Sequence, residues 1–188
     1  SVMFFSLSFL VLGIGLIAIG IPPTAEEFLR IIIFTLISIV YVSFWLNLSI
    51  LLSVRFRQAA TSALAGIAIW LFFSIFFNMI IDLLAKGLAP SAYSPEYVII
   101  GYQNFILNLS RISPAQLFSE TTTTLLIPSV RSLGPLSMEQ IQGAIPSPLP
   151  LGQSLFMVWP QVTGLIAGTI LFFALAYYSF MRKEIRSR

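Results

Sequence analysis

Long uncharged runs, broken by short polar punctuation, dominate this chain. The first is Val2–Ile21. The second, Ile31–Val54, lies between Arg30 and Arg55. The third, Ala59–Ile81, lies between Arg57 and Asp82, and the fourth runs from about Leu155 to Met181, before Arg182. Each reaches the roughly 20 residues that a helix needs to cross about 30 Å of hydrocarbon. None alternates apolar and polar positions as a barrel strand would. The pattern therefore predicts one all-α, polytopic membrane helix bundle over residues 1–188. It has four transmembrane helices and an external helical segment, 82–152, before the last span. Val2–Ile21 has no basic lead-in and no good cleavage site, so it reads as a span rather than a signal peptide. A chain entering a span directly after Ser1 points to a truncated or internal start, or to loss of an initiator Met before Ser.

Residues 82–152 hold eight of the eleven prolines. Tyr97–Leu109 is uncharged and apolar but too short to span, which suits an interfacial or re-entrant helix. Ser113 and Pro114 form a helix start, Ser as N-cap and Pro at the first helical position. That helix runs through AQLFSETTTTLLI and stops near Pro128. Ser137 and Gln140, in capping-box spacing, predict a third short helix. Pro146–Pro150 reads as a stiff extended connector. The plain reading of the whole segment is a cover over the outer mouth of the bundle; the sharper one is an external gate.

Composition sharpens this picture. The chain is 57% hydrophobic and 9% charged, too few charges to clothe a soluble domain of 188 residues. It has no His and no Cys, which removes His-based acid–base chemistry, a Cys nucleophile, disulfides and the metal sites built on those ligands. A net charge of +3 does not point to nucleic acid. Charge placement says more. Arg55–Gln58 and the tail Arg182–Arg188 together carry six basic residues in eleven positions. Two spans separate them, so both lie on one side. The positive-inside rule makes that side cytoplasmic, together with both termini, in a multi-pass protein of the cell membrane.

The predicted spans hold no Lys, Arg, Asp or Glu, which argues against an ion-coupled carrier or a charge-ring channel. Thr35, Ser38, Trp45 and Ser49 share one helical face. Ser62–Gly66 and Gly164–Gly168 are small residues four apart, the spacing that lets helix backbones approach in lipid. Tyr41, Asn47, Trp70 and Asn78 are candidates for a substrate path, although Asn78 more simply bonds a neighbour. Phe72, Phe73, Phe76 and Phe77 crowd the outer half of the third span. Neither Lys86 nor Lys183 stands in a P-loop, so any ATP chemistry belongs to another chain.

Three segments resemble the permease subunits of type-2 ABC transporters: LSVRFRQAATSALAGIAIWLFF (Leu52–Phe73), ISPAQLF (Ile112–Phe118) and YYSFMRKEIRSR (Tyr177–Arg188). The branch they resemble contains the copper-processing permease of denitrifying bacteria. Such permeases have six spans, and this chain is similar to the last four of them. The resemblance implies an exporter subunit with no catalytic, cofactor or metal residue of its own. It implies a cytoplasmic ATP-binding subunit that holds ATP and Mg, and a second permease forming a homo- or heterodimer in the lipid bilayer. Arg55 and Arg57 would then lie near the ATP-binding subunit, or serve only as positive-inside anchors. Two other classes compete. One is a membrane-embedded enzyme whose polar tools are Glu96, Arg111, Glu120 and Arg131; the other is a non-catalytic scaffold.

Overall fold

The computed structural model describes Ile14, residues 24–91, 93–127, Leu133 and residues 149–186. The predicted first span lies outside these residues apart from the helical Ile14. So do the Ser137 helix and most of the Pro146–Pro150 connector. Everything regular among the described residues is helical: α1 (Ala25–Arg55), α2 (Ala59–Leu71), a π-helical turn (Phe72–Phe76), α3 (Phe77–Leu88), α4 (Glu96–Ser110), α5 (Pro114–Leu126) and α6 (Leu151–Arg186). Three of these paths are long and apolar enough to cross a membrane: α1, the continuous run Ala59–Leu88, and α6.

The predicted boundaries move outward. α1 starts at Ala25, not Ile31, because Thr24 and Glu27 close a capping box: the Thr24 hydroxyl accepts from Glu27 N–H and the Glu27 carboxylate from Thr24 N–H. Arg30 is therefore inside the helix. Similarly, the third run continues past Asp82 to Leu88, so Asp82 and Lys86 ride on a helix rather than on a loop. The expectation of charge-free spans is corrected at these positions.

α1 packs chiefly on α6, and α5 lies against both. Ile37, Leu125 and Leu165 form the centre of the core, with Tyr41, Leu117, Phe118 and Val162 around them. The Phe118 ring stacks on Tyr41 with centroids 4.3 Å apart. The buried stripe of α1 is Arg30, Ile37, Ser38, Phe44 and Leu48, not the predicted face. Of that face only Ser38 is buried; Thr35 and Ser49 are spent on carbonyls of their own helix, those of Ile31 and Trp45.

Of the segment read as a cover over the mouth, the described residues 93–127 form a hairpin whose second arm, α5, is tucked into the bundle. α4 runs back along α3, where the Tyr102 hydroxyl donates to the Ala85 carbonyl. The chain turns at Arg111–Ser113 beside Phe73, which lies midway along the Ala59–Leu88 path. α5 then returns between α1 and α6, reaching Arg30 at Leu125. The turn is viable because its own backbone is satisfied: Ile112 N–H donates to Leu109 and Ser113 N–H to Ser110, 3.2 and 3.1 Å. Two of the four consecutive threonines of α5 serve this packing. Thr121 and Thr124 are fully buried and hand their hydroxyls to the carbonyls of Leu117 and Glu120, leaving compact faces for packing.

Candidate functional site

Two polar knots fix the α4–α5 hairpin. The deeper one centres on Glu120, only 8% exposed. One carboxylate oxygen accepts from Arg111 Nε and from Gln161 Nε2, both at 2.9 Å; the other accepts from Gln116 Nε2 at 3.1 Å. Arg111 comes from the hairpin turn, Gln116 from α5 and Gln161 from α6. A buried carboxylate is tolerable only when paired and hydrogen-bonded, and this one is both. With both oxygens engaged, Glu120 is a structural anion rather than a free acid or base. Glu96 is the first residue of α4, and Arg131 lies outside the described residues. Of the tools named for an enzyme, the described residues bring together Arg111 and Glu120.

The second knot lies at the opposite end of α5. Arg30, 4% exposed, donates from Nη1 to the Leu125 carbonyl (2.8 Å) and to Ser154 Oγ (3.3 Å). From Nη2 it donates to the Leu149 carbonyl (2.6 Å) and to Glu26 (2.8 Å). Glu26 also accepts the Leu151 N–H at the start of α6. One planar guanidinium thereby joins three helices, a task suited to its fixed fork of donors. The Leu125 carbonyl lies in the last turn of α5, where backbone acceptors lack intrahelical partners, and Leu149 lies just before the start of α6.

Hollows lined by described residues adjoin this scaffold. An apolar cavity of about 520 Å³ lies under the hairpin tip, walled by Trp45, Phe73, Ile112, Pro114, Leu165 and Phe172 among others. A more polar cleft of about 430 Å³ opens between α3 and α4, with Asn78, Asp82, Tyr102, Gln103, Ser110 and Gln116 on its walls. A groove of about 530 Å³ between α1 and α2 includes Trp45, Ser62, Gly66 and Trp70. The first suits an acyl chain or apolar ring, and the second a group that hydrogen-bonds.

The four candidate path residues separate. Tyr41 is stacked in the core, Trp70 lines the α1–α2 groove and Asn78 the α3–α4 cleft, while Asn47 lines none of these hollows. Asn78 makes no side-chain hydrogen bond among the described residues, contrary to the expectation that it bonds a neighbour. The small residues sit at close approaches. A Cβ on Gly168 would meet the Phe44 ring at 2.9 Å, one on Gly164 would meet Leu117 at 3.4 Å, and one on Gly66 would meet Leu52 at an ordinary 3.8 Å. Ser62 faces α1 across the groove, and Arg55 and Arg57 are exposed at the α1–α2 turn. Ser113 stands at the N-cap position of α5 but does not cap it; its hydroxyl donates instead to the Phe73 carbonyl, 3.3 Å.

Arg30, Gln116 and Gln161 were invisible as site residues in the sequence. Thr24-Ala-Glu-Glu27 was a usable signal, because a capping box before an apolar run places Arg30 on the helix. For Gln161 no signal existed: its partner is 41 residues away on another helix.

The family model of the ABC-2 family transporter protein matches residues 2–185. No curated protein and no solved structure matches the chain.

Proposed function

This chain belongs to the ABC-2 family of transporter proteins, and on that premise we propose that it serves as one permease subunit of an ATP-driven exporter. As a member it is a multi-pass membrane protein and a permease component of an ABC transporter. The proposal adds the rest. A cytoplasmic ATP-binding subunit holds ATP and Mg and supplies the energy, and a second permease, identical or not, completes the pathway. The export direction and the copper-processing branch rest on the resemblance carried by Leu52–Phe73, Ile112–Phe118 and Tyr177–Arg188.

The observation that carries the reading is the family match over residues 2–185, on a chain with three long apolar helices. Charge supports the orientation: the exposed Arg55–Arg57 turn faces the cytoplasm with both termini, which puts the Arg30 clasp and the α3–α4 cleft in the outer half of a cell membrane. Arg55 and Arg57 then meet the ATP-binding subunit. Trp70 and Asn78, which line open hollows, are kept as path residues. Tyr41, stacked on Phe118, contributes through packing.

The test is co-purification of the full-length protein with an ATP-binding subunit, in membranes, with ATPase rate as readout. The expected result is a rate that depends on this chain and falls at least tenfold when Arg55 and Arg57 are both changed to Glu. If no ATP-binding subunit associates, the reading is wrong.

A further inference from the structure

The π turn Phe72–Phe76 and the buried Ser113 explain each other. In an α-helix the Phe77 N–H donates to the Phe73 carbonyl; here it donates to Phe72, one residue further back. That shift takes from the Phe73 carbonyl its ordinary donor. The hydroxyl of Ser113 supplies one at 3.3 Å. Ser113 is fully buried, and it leaves the N-terminus of its own helix uncapped to make this bond. A Ser directly before a helix-starting Pro normally turns its oxygen inward to cap. Giving up that local bond for a contact 40 residues away marks a tertiary constraint. In lipid a bare carbonyl is costly, so the π turn persists where something re-satisfies it.

The extra residue in the π turn sets the rotation of everything beyond it. Closing the turn to α geometry would rotate α3 by about 100° about its axis and lengthen the path by about 1.5 Å. In the structure Ile81 is the buried residue of α3, and Asn78, Ile81 and Asp82 face α4 across the cleft. A rotation of that size carries all three off it. We propose that Ser113 is a positioning residue: its hydroxyl holds the Phe72–Phe76 turn in π form and so fixes the rotation that aims Asn78, Ile81 and Asp82 at α4. The tip of the hairpin and the walls of the cleft are thereby one coupled unit. Withdrawal of the tip removes the donor from Phe73 and releases α3. The inference stands on packing alone, independently of cargo or energy source.

The experiment is a pair of spin labels on the full chain in lipid nanodiscs, at Leu83→Cys on α3 and Phe105→Cys on α4. Both positions are exposed, and the chain has no native Cys to interfere. Deletion of Ile75 removes the extra residue, so the turn closes in α form with the residues beyond it in their wild-type phase, and the label distance is expected to stay at the wild-type value. Ser113→Thr keeps the wild-type distance. Ser113→Val, which matches Thr in size and lacks only the hydroxyl, lets the turn close with the extra residue still present and changes the distance by several Å, up to about 8 Å for a side chain carried through that rotation, as does Ser113→Ala. Thr and Val variants with the same distance would overturn the proposal, since the hydroxyl would then not matter. Ser113→Val that shifts the distance as much in the Ile75 deletion as in the undeleted chain would overturn it as well, because the π turn would not be what the hydroxyl holds. A chain that assembles normally but recruits no ATP-binding subunit would sink the exporter reading and leave these distances as they are.

Discussion

The two halves of the molecule are held in different ways. α1, α5 and α6 are tied by buried polar groups at both ends of α5: Glu120 with Arg111 and Gln161 at depth, Arg30 with Leu125, Leu149 and Ser154 at the other end. The Ala59–Leu88 path has few such ties. Only 6% of its most apolar stretch is buried, against 22% for α1. Leu64, Met79 and Leu83 point outward. Lipid is as apolar as Leu, so burying Leu against Leu gives little net drive there. Polar knots and close backbone approach must supply what the hydrophobic effect supplies in water. The contrast teaches that in this chain the scarce polar residues are the fasteners, and a helix without them is free to meet lipid or another subunit.

That contrast can be broken in order of size. Arg30→Met should have the largest effect, about 3 kcal/mol of stability, because it leaves the Leu125 and Leu149 carbonyls and the buried Ser154 hydroxyl without this donor. Unfolding in mixed micelles followed by tryptophan fluorescence checks it, and an unchanged midpoint would refute the clasp. Glu120→Gln should cost less, about 2 kcal/mol, since an amide keeps one acceptor but loses the ion pair with Arg111. The same assay reads it, and protease cleavage near Arg111 should rise in step. Gly168→Ala should cost about 1 kcal/mol, the Phe44 ring having to give way from 2.9 Å. Gly66→Ala, with 3.8 Å to spare, should stay within about 0.5 kcal/mol of zero. Equal effects of the two glycine substitutions would erase the distinction between the tightly and loosely packed halves.

Sequence carried some parts of this picture well and others not at all. The long apolar runs named three of the helices that the structure describes, because a lipid-crossing helix is a local property of about 20 residues. Ser113-Pro114 marked the start of α5 correctly. Its side-chain partner was misread, because nothing local says that a hydroxyl will leave its cap for a carbonyl on another helix. Arg30 was taken as a boundary, since an arginine beside an apolar run ordinarily marks the end of a span. Its four acceptors explain why it does not, and three of them lie 95 to 124 residues away. The depth of α5 was missed for the same reason. Thr121 and Thr124 are polar by type, whereas bonded back to their own helix they present small, satisfied surfaces for packing. The π turn left no trace in a run of phenylalanines.

The Arg30 clasp also dictates an order of assembly. Arg30 is made early, on α1, while Leu125, Leu149 and Ser154 are made much later. Until then its guanidinium sits one turn inside the helix start, close enough to reach water along its own stem. Only when synthesis has passed Ser154 can α5 and α6 close around it and draw the charge under cover. Insertion of the helices and sealing of the bundle are therefore separate events, and a nascent chain halted before Leu149 would carry its α1 in the bilayer with the latch still open.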